Sequence, residues 1–329
     1  MVYQMTQAII DLIASQIDRH IYHGASLALF EKEGWSEYYI GTLDGLKPVE
    51  PDLIYDLASV SKVVGVGTVV IFLLNRGVLD IDEPLVTYYP DFWNVNVTLR
   101  QLLTHTSGID PYIPNRSVMS ASQLKTAIDH IRVTSNKRFQ YTDINFILLG
   151  FMLESVCSQS LDQIFHDYIF QSFSMTQTGF GPVKGAVETI SGIKDGRVHD
   201  PKAKVLGIHA GSAGLFSTLK DLEKFSEHYL QDDFSDNLWQ DYGNTEKKRS
   251  IAWDLDGDWI EHTGYTGPYI LLNRKAQRAA IFLTNRTYSY DDRQLWIEER
   301  RHIRDAIKEN RRRGSYAICF IVKRYQCWW

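Results

Sequence analysis

Three short groups of residues occur in one order along this 329-residue chain: Ser59-Val60-Ser61-Lys62, Tyr141-Thr142-Asp143 and His262-Thr263-Gly264. A serine hydroxyl needs a base before it can attack a carbonyl. A lysine one helical turn away is such a base when burial lowers its proton affinity. A tyrosine beside that lysine can carry a proton between nucleophile and leaving group. A glycine closing a strand lets another backbone approach its edge, and the N–H after it can help hold an oxyanion. Together the groups are the working parts of a serine hydrolase that activates its serine with a lysine and a tyrosine.

Each group also has a plainer reading. Ser-x-x-Lys occurs four times, as Ser59/Lys62, Ser122/Lys125, Ser191/Lys194 and Ser217/Lys220. Residues three apart share a helix face, so any of the four could meet. Only Ser59 stands before a very apolar helical run, residues 63–74, which carries Lys62 into a buried setting beside the N–H groups and positive dipole of a helix start. The plainer alternatives are an N-cap Ser59 with a snorkelling Lys62, an N-cap Asp143 with Tyr141 as a packing residue, and a tight Gly-rich hairpin around His262. Ser235-Asp236-Asn237 lies in the polar run 231–237 and reads as a surface turn. Other chemistries lack their signatures: there is no Gly-x-Ser-x-Gly, no His-Glu-x-x-His, no phosphate-binding Gly-x-x-x-x-Gly-Lys and no cysteine pair with zinc spacing. The ten histidines form no metal-ligand cluster in sequence, so no metal and no cofactor is expected.

The elements that must position these residues follow from periodicity. Ile10, Ile13, Ile17 and Ile21 predict a helix over 5–21. Strand-like runs follow at 25–31 and 36–42, then a helix over 60–75 ended by Gly77. From 79 to 192 the chain reads mostly helical, at 99–104, 121–131, 145–157 and 161–170. A helix at 221–230, strands at 259–262, 269–273 and 279–284, and a helix at 293–309 complete it. The fold class expected is α/β of the α+β kind. An antiparallel sheet is built from both chain ends (1–78 and 193–310) and flanked by terminal helices, with an all-helical lobe (79–192) inserted and a cleft between. The tail 311–329, Arg-rich and then aromatic, reads as a non-native or disordered appendage.

Composition narrows the partners. The chain is 44% hydrophobic, with a formal net charge of −5 and no basic stripe before the far C-terminus, which argues against nucleic acid. No apolar run reads as long enough to span a bilayer. No signal-peptide pattern opens the chain, so the cytoplasm is the default expectation, with an extracytoplasmic site if a leader was removed. Trp253 and Trp259 precede the third motif and could fill the core or wall a cleft. Of three cysteines, Cys157 reads as a buried thiol, and no disulfide framework is indicated. Nothing in the sequence indicates the oligomeric state.

Taken together, the motifs resemble the serine β-lactamase and penicillin-binding-protein superfamily, in its class C β-lactamase-related branch, which also holds family VIII-type esterases and D-amino-acid peptidases. The resemblance spans about residues 5–308. It is supported by the segments 98–108, Val198-His199-Asp200-Pro201 and Ala210-Gly211-Ser212-Ala213-Gly214-Leu215-Phe216-Ser217. It implies Ser59 as acylated nucleophile, Lys62 as its base, Tyr141 in deacylation and leaving-group protonation, and the N–H groups of Ser59 and Tyr265 as oxyanion hole. His262, Thr263 and Gly264 match the family's Lys-Thr-Gly, and His105 and His199 read as structural. Two departures stand out. Asp143 replaces the usual Asn and would stabilise Lys62 as ammonium unless it points away. His262 replaces Lys and attracts a substrate carboxylate less. The implied substrates are a small ester, peptide or β-lactam. An esterase or peptidase ranks above a D,D-carboxypeptidase or β-lactamase, and a non-catalytic binder of cell-wall fragments stands as a third possibility.

Overall fold

A computed structural model describes residues 2–31 and 34–309; the tail expected from 311 onward lies outside the described residues. Among the described residues nine strands are formed: β1 (Gly24–Glu31), β2 (Gly34–Gly41), β3 (Tyr55–Asp56), β4 (Gly179–Phe180), β5 (Leu215–Ser217), β6 (Asp254–Asp256), β7 (Trp259–Thr263), β8 (Tyr269–Asn273) and β9 (Arg278–Thr284). Six make an antiparallel sheet in the order β2-β1-β9-β8-β7-β6. The two ends of the chain meet where β1 pairs with β9, Leu27 opposite Phe282. β8 and β9 are buried at every residue, which is why they read as unbroken apolar runs rather than alternating ones.

A second, three-stranded sheet in the order β3-β5-β4 was not expected. Its strands are two or three residues long, too short to leave a period in the sequence. It matters because β3 leads directly into the serine.

That serine opens one continuous helix, Ala58–Asn75, which begins as a 3-10 turn and includes a π-helical turn at Val63–Gly67. Val63, Val64, Val66, Val69 and Val70 are all fully buried, so the helix is apolar all round because it runs through the core. By length and composition it could cross a bilayer, which corrects the expectation that no run was long enough; it is instead 78% buried inside the protein.

Between 79 and 192 the described elements are helical apart from β4. Leu99–Leu103 and Ala121–Asp129 each open on a capping box, Thr98 with Gln101 and Ser120 with Gln123. Helix Asp143–Cys157 is capped by Thr142, not by Asp143 as the plainer reading had it. Cys157 is half-buried rather than buried. A short helix, Pro201–Leu206, went unread in the sequence; Asp200 caps it and Pro201 takes its first position. Trp253 is fully enclosed and packs on Phe225 and Tyr229, so it belongs to the core and not to a cleft wall.

Residues 2–21 and 292–309 form a compact unit of their own. In it the helices Val2–Asp18 and Arg293–Glu309 pair, and Arg19, which follows the first, grips Glu299 of the second through two bonds of 2.8 and 2.6 Å.

Candidate active site

The turn that leads into Ser59 is tied down before the serine is reached. Leu57 N–H donates to the carbonyl of Leu215 on β5 at 2.9 Å. The buried Asp56 carboxylate accepts the N–H of Ala58 at 2.8 Å on one oxygen and that of His199 at 2.6 Å on the other. The Thr266 hydroxyl donates to the Asp56 carbonyl at 3.1 Å. Under this restraint Ala58 is held at φ +45°, a left-handed conformation that costs a non-glycine residue about 1–2 kcal/mol. Ser59 follows immediately and is partly exposed, at the start of a helix whose remaining face is core.

Lys62 is fully buried, so it does not snorkel. Its Nζ lies 2.9 Å from Ser59 Oγ, 2.8 Å from Asp143 Oδ1 and 3.0 Å from the Ser212 carbonyl. Three partners use all three ammonium protons. Burial alone would lower its proton affinity, as the sequence suggested. The Asp143 carboxylate, aided by Tyr141, outweighs burial and holds Lys62 well above the ordinary lysine range. Asp143 therefore does not point away. Burial would raise its own proton affinity, but Lys62 and then Lys202 more than reverse this and keep it ionised. Lys202 Nζ sits 2.8 Å from Asp143 Oδ2, so one carboxylate bridges two ammonium groups.

Tyr141 is exposed on one side; its ring lies 5.2 Å from Lys62 Nζ and 4.4 Å from the His105 ring. His105 is fully buried at φ +58°, and its Nδ1 accepts from Asn145 Nδ2 at 2.9 Å. Burial, Arg249 and Lys62 keep this imidazole neutral, and its place is beneath the tyrosine as a support. The ring of His262 is 6.4 Å from that of Tyr141. Burial first, then the cations Lys62 and Arg249, push His262 down to about 3, so it is neutral at ordinary pH. Its buried Nδ1 meets no hydrogen-bond partner among the described residues.

Gly264 has a sharper reason than substrate access. A Cβ there would lie 2.6 Å from Pro268 Cγ and 2.7 Å from the Leu57 carbonyl. The glycine thus lets the chain after β7 close on the Leu57 carbonyl, in the turn that leads into Ser59. The Tyr265 carbonyl accepts from Arg286 Nε at 2.8 Å, the Arg286 guanidinium lies 4.7 Å from the Tyr265 ring, and the phenol donates to Asp291.

The other three Ser-x-x-Lys pairs do not form such a unit. Lys125 pairs with Asp129 and Asp91, Lys220 with Glu37 and Glu223, while Ser191 and Lys194 are exposed. Ser235 donates to the carbonyls of Tyr229 and Asp232, and Asp236 pairs with Arg274, so that motif closes a turn.

A sequence profile of the Beta-lactamase family matches residues 9–304. The chain belongs to this family. An Escherichia coli K12 protein whose name, D-alanyl-D-alanine carboxypeptidase, is itself provisional is 25% identical, over 78% of this chain and 75% of its own. Two solved structures share the fold. One is described as a beta-lactamase/D-alanine carboxypeptidase from Pseudomonas syringae, with TM-score 0.76 and 17% identity over 93% of this chain and 99% of that one. The other is EstCE1, described as a hydrolase with promiscuous acyltransferase activity, with TM-score 0.73 and 16% identity over 93% and 99%.

In this β-lactamase-family chain, Ser59, Lys62, Tyr141, Asp143 and His262 converge on one site, with Thr263, Gly264 and Tyr265 along its strand edge. Two contributors were missed. Lys202 directly follows a quoted landmark but carried no mark of a partner in Asp143. Arg249, 1% exposed, pairs with Asp254 and donates to the Ala252 carbonyl at 2.9 Å, yet in sequence it reads as one more charge in a polar run.

Proposed function

We propose that the chain is an acyl-serine hydrolase that cleaves an ester or amide through an acyl-enzyme on Ser59. The observation that carries this is the 2.9 Å approach of the fully buried Lys62 Nζ to Ser59 Oγ, with Asp143 as the lysine's counter-charge. The geometry serves both protonation states. As ammonium, Lys62 donates three times; as amine, it can donate to Asp143 and Ser212 and accept from the Ser59 hydroxyl. In the amine form it takes the serine proton as Oγ bonds to the carbonyl carbon. The N–H groups of Ser59 and Tyr265 hold the oxyanion, and the proton reaches the leaving group through Tyr141. Water then breaks the acyl ester along the same proton path.

Esterase- or peptidase-like activity ranks first because a neutral His262 cannot attract a substrate carboxylate as an ammonium would. D,D-carboxypeptidase or β-lactamase activity is the second reading, favoured by the names of the relatives. The test is a panel of p-nitrophenyl esters, nitrocefin and D-Ala-D-Ala peptides, with fluorophosphonate labelling, on the wild type and Ser59→Ala. Turnover and labelling in the wild type, both lost in Ser59→Ala, are expected. Labelling retained elsewhere refutes the assignment, and one acylation without turnover indicates a binder.

A further inference from the structure

Asp143 faces two cations, and the sequence prepares the second as carefully as the first. Asp200 caps helix Pro201–Leu206, accepting the N–H groups of Lys202 and Ala203 at 2.9 Å each, and Pro201 presets the first turn. This leaves Lys202 little freedom. Its side chain is 12% exposed, and Nζ reaches Asp143 Oδ2 at 2.8 Å and Asp200 Oδ2 at 3.5 Å. A lysine that served only solubility would stand in water.

We propose that Lys202 is a positioning residue of the active site, binding the second oxygen of Asp143 so that the carboxylate holds Lys62 less tightly and Lys62 can act as a base toward Ser59. The proposal rests on the reading of Ser59 as nucleophile. The charged and titratable groups around Lys62 are Asp143 and Tyr141 from the loop–helix junction, Lys202 and Asp200 from the short helix, His105 beneath Tyr141, and His262 with Arg249 and Asp254 from the β6–β7 side. Among these, Lys202 alone shares a carboxylate with Lys62. Without it, the whole charge of Asp143 falls on Lys62, and an added opposite charge of this kind raises a base by on the order of one pH unit.

The test compares Lys202→Met and Lys202→Arg with the wild type. Each full chain is labelled with a fluorescent fluorophosphonate across pH 5 to 10, with thermal unfolding recorded alongside. In Lys202→Met the rise of labelling rate with pH should be displaced to higher pH by about one unit, so that labelling slows about tenfold at a given pH on the rising limb. Lys202→Arg, which keeps the cation, should label within about twofold of the wild type, a rescue that mere packing at this position does not predict. Labelling of Lys202→Met at the wild-type rate, or equal slowing in both variants, overturns the proposal. Absence of Ser59 labelling in the wild type overturns the reading of the site itself, and the proposal with it.

Discussion

Asp143→Asn should make the enzyme faster at acylation and less stable. Asp143 Oδ1 lies 2.8 Å from a fully buried Lys62 Nζ. Two unit charges at that distance attract by about 6 kcal/mol at an effective dielectric of 20. Asn would keep a hydrogen bond through its carbonyl, and Lys202 already draws on the carboxylate, so about half of that attraction, roughly 3 kcal/mol, is lost. Converted at 1.36 kcal/mol per pH unit, the proton affinity of Lys62 falls by about two units. At a pH where the wild-type rate is still rising, the amine fraction of Lys62, and with it fluorophosphonate labelling of Ser59, should rise about a hundredfold. The same change leaves Lys62 and Lys202 buried without their carboxylate, at a cost to folding of about 3 kcal/mol, read by urea unfolding. A structural injury could only slow the reaction, so the gain in rate is the diagnostic part. If Asp143→Asn folds, labels more slowly than the wild type and shows no displacement of its pH profile, Lys62 does not act as the base and the reasoning fails.

Gly264→Ala should be harmful out of proportion to one methyl group: its Cβ must displace Pro268 or the Leu57 carbonyl, which costs about 1–3 kcal/mol in thermal or urea unfolding and disturbs the turn that leads into Ser59, so labelling should fall as well. Unchanged stability and labelling would show that β7 does not close on the nucleophile turn. Asp56 predicts a pH dependence of stability. Burial pushes it up to about 6 from an ordinary value of 3.8, so the native state binds its proton more tightly than the unfolded chain does. Its contribution is therefore fully present below pH 3.8 and is lost as pH rises through 6, by about 3 kcal/mol in all. The stability of the wild type relative to Asp56→Asn, measured by urea unfolding at pH 4 and pH 7.5, should fall by roughly 2.5 kcal/mol as pH rises.

What could be read in the sequence was whatever leaves a repeating pattern. β8 and β9 were legible because burial on both faces leaves unbroken apolar runs at 269–272 and 279–283, and the serine helix because most of it is core. The site residues were legible because three short motifs each sit beside such an element. The small sheet was not, since two paired residues at Tyr55–Asp56 have no period. Nor was the direction in which Asp143 points, on which its hold on Lys62 depends. Burial of Lys62 pointed toward a lowered proton affinity, and only the 2.8 Å ion pair reverses the sign. Lys202 and Arg249 stayed hidden for a related reason. Isolated in sequence, a charged residue is indistinguishable from one that is solvated.

The two departures from the family's motifs act together on substrate choice. With asparagine and lysine at positions 143 and 262, Lys62 would share the site with a second ammonium on β7, and a substrate carboxylate would find two cations. In this chain the carboxylate of Asp143 is already enclosed by Lys62 and Lys202, and His262 is kept neutral partly by Lys62 itself. Protonating His262 would set a new cation beside Lys62 and Arg249 in a buried site, which is why its proton is lost until pH falls to about 3. A carboxylate-bearing substrate therefore gains no attraction from His262 across the range where Lys62 can be an amine. On the reading proposed above, the neutrality of His262 and the base strength of Lys62 are set by the same cluster, and both would favour a substrate that brings no charge of its own to the leaving-group side.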